Sequence, residues 1–441
     1  MSAPPIKRLP DALRRAQLLW RSPRLWRRRL AFLLGAVAVG LAAAAFASAA
    51  DWSLHLFFLV RGQSVWLSGA LTIAGFAICA AITRWLAPGA RGSGIPQAIA
   101  ARKRKLTSDR TDLLGARVTV VKLILTLVGL AIGAAVGREG PTVQLGASIM
   151  FLIAQFARLP RQSGVVLAGA AAGVAGAFNT PLAGIVFAIE ELAKSYDRRV
   201  NLLVIAAVAI AGITSIWVAG NYRYFGTINQ TFVLDWIWSS VPVCAVVGGI
   251  FGGLFSAAVV NVAFGRWRFA RHIKTRPILF AAACGLGVAL LGIASGGFAN
   301  GTSYQATRLA LEHGTAFPWW YGFCKLGATF FSSISGIPGG LFSPSLSVGA
   351  ALGSTVSWLM PGIPASVIFL LMMAAYFSAV VQAPLTAFVI VTEMTADTSM
   401  AVPLILVTLI AASISRMICP VPLYHALSHT FDPRPETKHE A

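Results

Sequence analysis

The chain has 441 residues, of which 57% are hydrophobic and only 12% are charged. It carries 36 Lys and Arg residues against 15 Asp and Glu residues, a formal net charge of +21, whereas a soluble domain averages about 25% charged residues. These values exclude a soluble globular enzyme and a disordered chain, and they indicate an all-α polytopic membrane protein. Nucleic-acid binding is also disfavoured, because most of the chain is too apolar to present a solvated basic face.

The N-terminal segment, residues 1–29, is strongly basic and precedes an apolar stretch from Leu30 to Ala47. This stretch exceeds the apolar core of a signal peptide, which spans ~7–15 residues, so we predict an uncleaved first transmembrane helix. Lys and Arg accumulate on the cytoplasmic side of membranes, which predicts a cytoplasmic N-terminus and cytoplasmic basic loops. Those loops are Arg102–Lys105, Lys194 with Arg198 and Arg199, and Arg266–Arg276.

Apolar segments occupy nearly all of the remaining chain. They are predicted at 30–50, 54–87, 113–136, 140–157, 163–193, 200–220, 235–264, 277–298, 317–335, 340–359, 364–395 and 400–419. The runs 163–193 and 364–395 exceed one membrane crossing and are interrupted by Gly and Pro, which predicts broken or re-entrant helices. Such breaks are tolerated at membrane depth only where protein or a watery cavity covers them.

The two halves of the chain align without gaps at several points when shifted by 203 residues. The matched pairs are Lys122 and Lys325, Pro141 and Pro344, Pro181 and Pro384, and Glu190 and Glu393. We therefore predict two homologous transmembrane repeats, at 30–220 and 235–420, followed by a short cytoplasmic segment at 421–441. In duplicated membrane proteins, matching broken segments point to a substrate site between the halves.

Three segments combine glycine with proline, at 92–96, 137–146 and 336–349. Their prolines are expected in the first turn of helices, where free backbone N–H groups carry partial positive charge. Several such helix ends meeting inside the membrane would bind an anion without a full positive side chain. The hydroxyls of Ser93 and Tyr424 could donate further hydrogen bonds. The alternative is that the glycines only permit close helix packing.

Four acidic residues lie in apolar or motif segments. Glu139 precedes Pro141, so its carboxylate is predicted near a helix N-terminus, where it would compete with a free anion until protonation released it. The alternative is a simple helix cap. Glu191 has no match in the second half and is a candidate proton-entry group, the alternative being an interfacial Glu paired with Lys194. Glu190 and Glu393 match each other and are predicted to be structural.

Cysteine and histidine give no sign of a metal or a cofactor. The five cysteines are scattered without metal-ligand spacing, and the six histidines do not cluster within the apolar runs, so we predict neither. An intramembrane enzyme is disfavoured as well, because GxSxG and HExxH motifs are missing from the sequence.

Taken together and in order, these motifs resemble the CLC family of chloride channels and transporters, over nearly the whole chain. The signature residues are Gly92, Ser93, Gly94, Ile95 and Pro96; Gly137, Arg138, Glu139, Gly140 and Pro141; Gly339, Gly340, Leu341, Phe342, Ser343 and Pro344; and Pro422, Leu423 and Tyr424. The resemblance implies an inverted-repeat CLC-type fold with broken and re-entrant helices. It also implies a homodimer with one pathway in each subunit, in a bacterial inner membrane, with both termini cytoplasmic.

The resemblance further implies roles for individual residues. A central chloride would be held by the hydroxyls of Ser93 and Tyr424 and by the backbone amides of Leu341 and Phe342. Glu139 matches the family's external gate. Glu191 matches the internal proton-transfer group, which favours proton-coupled chloride antiport, with a passive chloride channel as the alternative.

The resemblance also bears on the transported anion. Ser93 favours chloride over nitrate, since nitrate-preferring relatives tend to carry Pro there, and fluoride exporters of the family usually lack this Ser.

The chain departs from the family pattern in two respects. Gln97 stands where a Glu commonly follows the first motif, and the sequence assigns it no effect. The paired nucleotide-binding modules of many eukaryotic members are absent from the sequence, which suggests a bacterial-type transporter without ATP control.

Overall fold

The structure, a computed structural model, describes residues 23–104, 107–159, 162–193, 198–220, 225–226, 236–267, 275–395 and 399–432. Most of the basic N-terminal segment lies outside these ranges. So do Lys105, Lys194, part of the basic loop 266–276 and the last nine residues of the C-terminal segment, and the predictions made for them are not addressed by the structure.

The described residues form helices joined by short loops. We number the α-helices α1 Pro23–Gln63, α2 Val65–Leu86, α3 Ile95–Lys103, α4 Thr107–Leu114, α5 Ala116–Ala131, α6 Glu139–Phe156, α7 Gln162–Phe178, α8 Pro181–Phe187, α9 Arg198–Ala219, α10 Ser240–Phe264, α11 Pro277–Ala294, α12 Tyr304–His313, α13 Tyr321–Ile334, α14 Phe342–Leu359, α15 Ala365–Val381, α16 Pro384–Thr395, α17 Ala401–Ile418 and α18 Leu423–Ser428. A π-helix, Ala188–Ala193, continues α8. Within the described part, seven helical spans are long and apolar enough to cross a membrane, so the protein is a multi-pass membrane protein.

The first apolar region forms one long helix, α1, and the predicted break between residues 50 and 54 is wrong. Residues 50–54 contain no Gly or Pro, and Asp51 remains helical while its carboxylate pairs with Arg138 at 2.8 Å. The chain breaks instead at Ser64, whose side-chain oxygen accepts a hydrogen bond from the Leu67 N–H at 3.2 Å. Ser64 is therefore the N-cap of α2.

The two long apolar runs are broken, as predicted. The breaks follow Asn179 and Gln382, which adopt left-handed φ angles of 59° and 60°. A helix cannot continue through such a residue. A new helix then begins at Pro181 in the first half and at Pro384 in the second. The breaks therefore occur at positions that correspond in the two halves.

The repeat is also visible in the helix bounds. Helices α6 and α7 begin and end at positions that match those of α14 and α15 when shifted by 203 residues. Helices α4, α12 and α18 were not anticipated from the apolar segments. In α12, Arg308 pairs with Glu312 at 2.9 Å. The boundaries assigned to the two repeats as domains stay a prediction.

The core lies between the halves. Helix α15 is buried along its whole length and is apolar on every face, which is typical of a central helix. It packs against α14, α10 and α17. One hydrophobic cluster joins residues of α6 and α7 to residues of α14 and α15. The loops that precede α3, α6 and α14 are consequently enclosed by protein.

Candidate functional site

The three glycine- and proline-containing segments meet through their backbones. Gly137 and Gly340 exchange two hydrogen bonds, in which each N–H donates to the other's carbonyl at 2.8 and 2.7 Å. Gly92 accepts from the Gly339 N–H and donates to the Ile337 carbonyl, both at 3.2 Å. Because these residues lead directly into α3, α6 and α14, the N-termini of the three helices are held at one place. The predicted convergence is confirmed.

Glycine is required where these segments touch. Gly94, the N-cap of α3, has a φ of 110°, which side-chain-bearing residues rarely adopt. A Cβ atom at Gly94 would also overlap the carbonyl oxygen of Gly140, and one at Gly140 would overlap the Ser93 hydroxyl. The glycines therefore serve the close packing that was considered as the alternative, and this packing itself brings the helix ends together.

Two hydroxyl groups project into this centre. Ser93 and Tyr424 are both buried, and neither hydroxyl oxygen makes a hydrogen bond within the described part of the chain. The Tyr424 hydroxyl nevertheless lies close enough to Ser93 to interact with it. Buried hydroxyls are rarely left unsatisfied in proteins. The pair thus offers two hydrogen-bond donors to a further group.

The first residues of α14 lie beside Tyr424. Leu341 is the N-cap of this helix and Phe342 its first residue, so their amides have no acceptor inside the helix. The Phe342 ring is stacked on Tyr424, with centroids 5.9 Å apart and planes inclined by 12°. It also contacts the rings of Phe187 and Phe377. This aromatic packing fixes the helix end beside the two hydroxyls.

Glu139 occupies one of the helix N-termini. Its side chain is buried, and its carboxylate accepts hydrogen bonds from the hydroxyl of Ser343 and from the Ser343 N–H at 3.5 Å. Ser343 is the second residue of α14, which belongs to the other half of the chain. The carboxylate therefore lies at a helix N-terminus, as predicted, and it reaches across to the opposite repeat.

The neighbouring Arg138 fixes the backbone that carries Glu139. Its side chain is only 4% exposed, and its guanidinium pairs with Asp51 and donates to the Ala47 carbonyl at 2.7 Å. Both partners lie in α1. The loop before α6 is thus tied to a long membrane helix, while the Glu139 side chain points to α14.

Gln97 has a structural task that the sequence did not reveal. Its side-chain oxygen accepts a hydrogen bond from the Gly94 N–H at 3.0 Å. Its amide nitrogen donates to the carbonyls of Gly89 and Arg91 at 3.0 and 2.6 Å. One buried amide therefore holds both ends of the loop that carries Ser93, and it uses both its donor and its acceptor.

The repeat-matched lysines also anchor loops. Lys122 is fully buried in α5, and its ammonium donates to the Gly92 carbonyl at 3.0 Å. Lys325 is equally buried and donates to the carbonyls of Ala299 and Gly301 at 3.1 and 2.7 Å. A lysine inside an apolar run is unusual enough to mark a functional neighbourhood, and this signal could have placed Lys122 beside the site.

Glu191 lies on the π-helix that ends α8, and its side chain is buried. Isolated π-helical turns occur frequently at functional sites. The Tyr424 hydroxyl lies within electrostatic range of both Glu191 and Glu139. Lys194, the partner considered for Glu191, is outside the described residues.

Glu190 and Glu393 cap helices of the opposite repeat. The Glu190 carboxylate accepts from the Thr386 N–H in the first turn of α16, and the Glu393 carboxylate accepts from the Ala183 N–H in α8, both at 2.7 Å. Carboxylates at helix N-termini are stabilising. The predicted structural role is confirmed, although both residues are half-buried in the chain and not fully enclosed.

Metal binding finds no support in the part of the chain that the structure describes. Within these residues, no group of three or more His, Cys, Asp or Glu side chains could hold a metal ion. The polar centre is built instead from helix N-termini, two hydroxyls and carboxylates.

The fold and the site define an all-α, multi-pass membrane protein in which two repeats of broken helices meet at a buried polar centre. The sequence profile of the family described as voltage gated chloride channel matches residues 75–416. The chain therefore belongs to this family, known as the CLC family, whose members are channels and transporters.

Individual relatives agree with this assignment. The H(+)/Cl(-) exchange transporter ClcA of Yersinia pestis bv. Antiqua (strain Angola) is 33% identical over 408 residues, which cover 87% of this chain and 80% of the relative. The ClcA protein of Salmonella arizonae is 30% identical and covers 94% of this chain and 92% of its own.

Solved structures confirm the inverted-repeat CLC-type fold. A slow cyanobacterial Cl-/H+ antiporter superimposes with a TM-score of 0.75 at 23% identity, covering 91% of this chain and 97% of that one. A CLC-type fluoride/proton antiporter superimposes with a TM-score of 0.76 at 22% identity, covering 90% and 96%.

Proposed function

We propose that the protein exchanges chloride for protons across the membrane. The observation that carries this proposal is the position of the Glu139 carboxylate, which takes two donors at the N-terminus of α14, the helix end that also carries the Leu341 and Phe342 amides. The ClcA relatives, named as H(+)/Cl(-) exchange transporters, support the same activity.

Glu139 serves as the external gate in this proposal. Its carboxylate and a chloride ion both need the N–H and hydroxyl donors at the start of α14, because each is a monovalent anion. Protonation neutralises the carboxylate and weakens its hydrogen bonds, since charge-assisted bonds are roughly twice as strong as neutral ones. The protonated side chain then leaves these donors, and chloride binds to them. Proton binding and chloride movement are linked in this way.

Chloride binds centrally, between the Ser93 and Tyr424 hydroxyls and the amides of Leu341 and Phe342. These donors carry partial charges and no formal charge, so the ion is stabilised without being trapped by a salt bridge. Both hydroxyls are buried without a protein partner among the described residues, and a bound chloride would satisfy them. Ser93, which the nitrate-preferring and fluoride-exporting relatives usually lack, supports chloride as the anion.

Glu191 serves as the internal proton-transfer group. It is buried on a π-helix and lies within electrostatic range of Tyr424, so a proton that it releases would enter the same centre that binds chloride. The cytoplasmic orientation of both termini, a bacterial inner membrane and a homodimer with one pathway per subunit complete the proposal. Surrounding lipid is a further expected partner, and we propose no metal or organic cofactor.

A proteoliposome experiment tests the proposal. Purified protein is reconstituted with an outward chloride gradient, and external pH is recorded with the membrane voltage held by an ionophore. We expect chloride efflux to drive protons inward, against a proton gradient. In E191Q, proton uptake should stop while chloride efflux continues. Chloride efflux without proton uptake by the wild type would favour the alternative, a passive chloride channel on the same fold.

A further inference from the structure

His425 lies beside Glu191, in a place that the motifs did not single out. It follows Tyr424 on the short helix α18. Its Nε2 atom is 2.8 Å from the Glu191 carbonyl oxygen and 3.9 Å from the Glu191 carboxylate. A carbonyl can only accept, so Nε2 carries a hydrogen and Nδ1 is the atom that gains or loses a proton.

The position of His425 suits proton entry. Its side chain is 13% exposed, whereas that of Glu191 is only 2% exposed. The imidazole is thus nearer to solvent than the acid it contacts. Among side chains with unperturbed pKa values, only His titrates between about pH 5 and 8. A proton arriving from solvent therefore meets His425 before it meets Glu191.

The charged groups around this contact are few. Arg102, on α3, donates to the Leu192 carbonyl at 2.7 Å, next to Glu191. Lys103 follows it at the end of the same helix. Of the other helices packed on α18, α10 contributes only Cys244 and is followed by Arg266, and α15 contributes only Tyr376. The 3-10 helix His429–Phe431 contributes His429, which pairs with Asp432 at 2.8 Å. Glu191 is the acid that lies beside His425, at 3.9 Å.

We propose that His425 loads Glu191 with protons from the inner solution. Nδ1 accepts a proton from water, the Nε2 proton passes to the Glu191 carboxylate, and the imidazole is left neutral with its proton on Nδ1. Rotation or exchange with water restores the first tautomer. The protonated imidazole also forms an ion pair with the Glu191 carboxylate. Transfer of a proton to Glu191 is therefore favoured only when His425 is protonated.

His425 further connects proton entry to the chloride centre. Tyr424 and His425 are consecutive residues of a helix of six residues, so a shift of α18 moves both. The inference rests on the proposed exchange of chloride for protons. It adds to that activity a second titratable group on the inner side.

The test compares H425Q with the wild type in proteoliposomes, with H429Q as matched control. Gln keeps an N–H donor for the Glu191 carbonyl but cannot titrate. His429 lies four residues later, with an exposed side chain paired to Asp432 at 2.8 Å. The readout is the number of protons moved per chloride, measured at inner pH values from about 5.5 to 7.5.

We expect H425Q to lower this ratio at least about fivefold. Two opposite unit charges about 4 Å apart attract by about 1 kcal/mol even in water, which corresponds to about fivefold in an equilibrium constant. The dependence on inner pH should flatten in H425Q and persist in H429Q. H425S, which removes the ring without adding bulk, should behave like H425Q. Adding H425Q to E191Q should cause no further loss, because His425 acts through Glu191.

Three outcomes overturn the inference. The first is a proton-to-chloride ratio in H425Q and H425S within about twofold of the wild type at every inner pH. The second is an equal loss in H429Q. In the third, the wild type moves chloride without protons, which refutes the proposed function and this inference with it. In the first two, the wild-type protein still exchanges chloride for protons.

Discussion

Glu139 illustrates how one side chain can link two ions. Its carboxylate accepts two hydrogen bonds from Ser343, on a helix of the opposite repeat. Hydrogen bonds to charged groups contribute about 1.5–3 kcal/mol each. Protonation of Glu139 therefore weakens its binding to the Ser343 donors by enough free energy for a chloride ion to displace the side chain.

The first prediction concerns this competition. In E139Q the side chain is neutral and competes less well for the donors of α14, so we expect chloride to bind about tenfold more tightly, the result of a difference of about 1.4 kcal/mol. Isothermal titration of the detergent-solubilised protein measures this. E393Q serves as control, because Glu393 caps a helix away from the centre. Unchanged or weaker chloride binding in E139Q would contradict the competition.

A second prediction concerns Gln97, whose amide donates to the carbonyls of Gly89 and Arg91. Glu at this position would place a carboxylate oxygen against both carbonyls and remove both donors. We expect Q97E to lower the free energy of unfolding by about 2 kcal/mol or more, measured by thermal unfolding in detergent at neutral pH. Equal stability of Q97E and the wild type would show that the loop does not depend on these bonds.

Residues of the site differed in how well the sequence revealed them. Ser93 and Glu139 stand in glycine-containing motifs, which made them conspicuous. The roles of Gln97 and His425 could not be assigned in the same way, because these side chains bond mainly to backbone groups. Backbone partners leave no trace in the sequence, and only the folded chain brings them near.

At the scale of elements, broken helices create the site. Each break supplies a helix N-terminus inside the protein, and carboxylates of the opposite repeat cap two of them. Glu190 holds the start of α16 and Glu393 holds the start of α8, and these two helices pack on each other. The reciprocal caps thus join the two repeats.

The third prediction tests these caps. E190Q and E393Q each replace a charged acceptor by a neutral one at a helix N-terminus, so each should lower the free energy of unfolding by about 1 kcal/mol. Thermal unfolding in detergent is the measurement. E393Q should keep the wild-type number of protons per chloride in proteoliposomes. A loss of proton coupling in E393Q would mean that this acid is more than a cap.

The predictability of the elements depended on the residues at their ends. The breaks before Pro181 and Pro384 were visible because proline interrupts an apolar run. The continuity of α1 through Asp51 was not, because the partner of this acid, Arg138, is remote in sequence. Helix α12 was missed because it is too polar to resemble a membrane segment.

For the whole molecule, composition predicted a polytopic membrane protein, the 203-residue offset predicted two homologous halves, and the resemblance to the CLC family implied that the repeats are inverted. The repeat could not show that the Glu139 side chain would contact α14, because this contact depends on how the two halves are arranged in space. The closeness of Glu139, Tyr424 and Glu191 likewise follows from the packing of α18 against α3 and α10, which no local pattern encodes.

The fourth prediction concerns assembly. We expect the purified protein in mild detergent to be a dimer, with a protein mass twice that of the 46.5 kDa chain. Light scattering combined with size-exclusion chromatography separates protein from detergent mass. Each subunit holds all residues of the proposed site, so the number of chloride ions bound per chain should be the same in dimer and monomer. A purely monomeric protein would refute the dimer.

The most direct test of coupled exchange is the voltage at which net current through reconstituted protein is zero. With a fixed chloride gradient, we expect this reversal voltage to differ from the chloride equilibrium voltage and to shift when a pH gradient is applied, because each transport cycle moves both ions. A reversal voltage that stays at the chloride equilibrium value for every pH gradient would contradict exchange and identify a passive chloride channel.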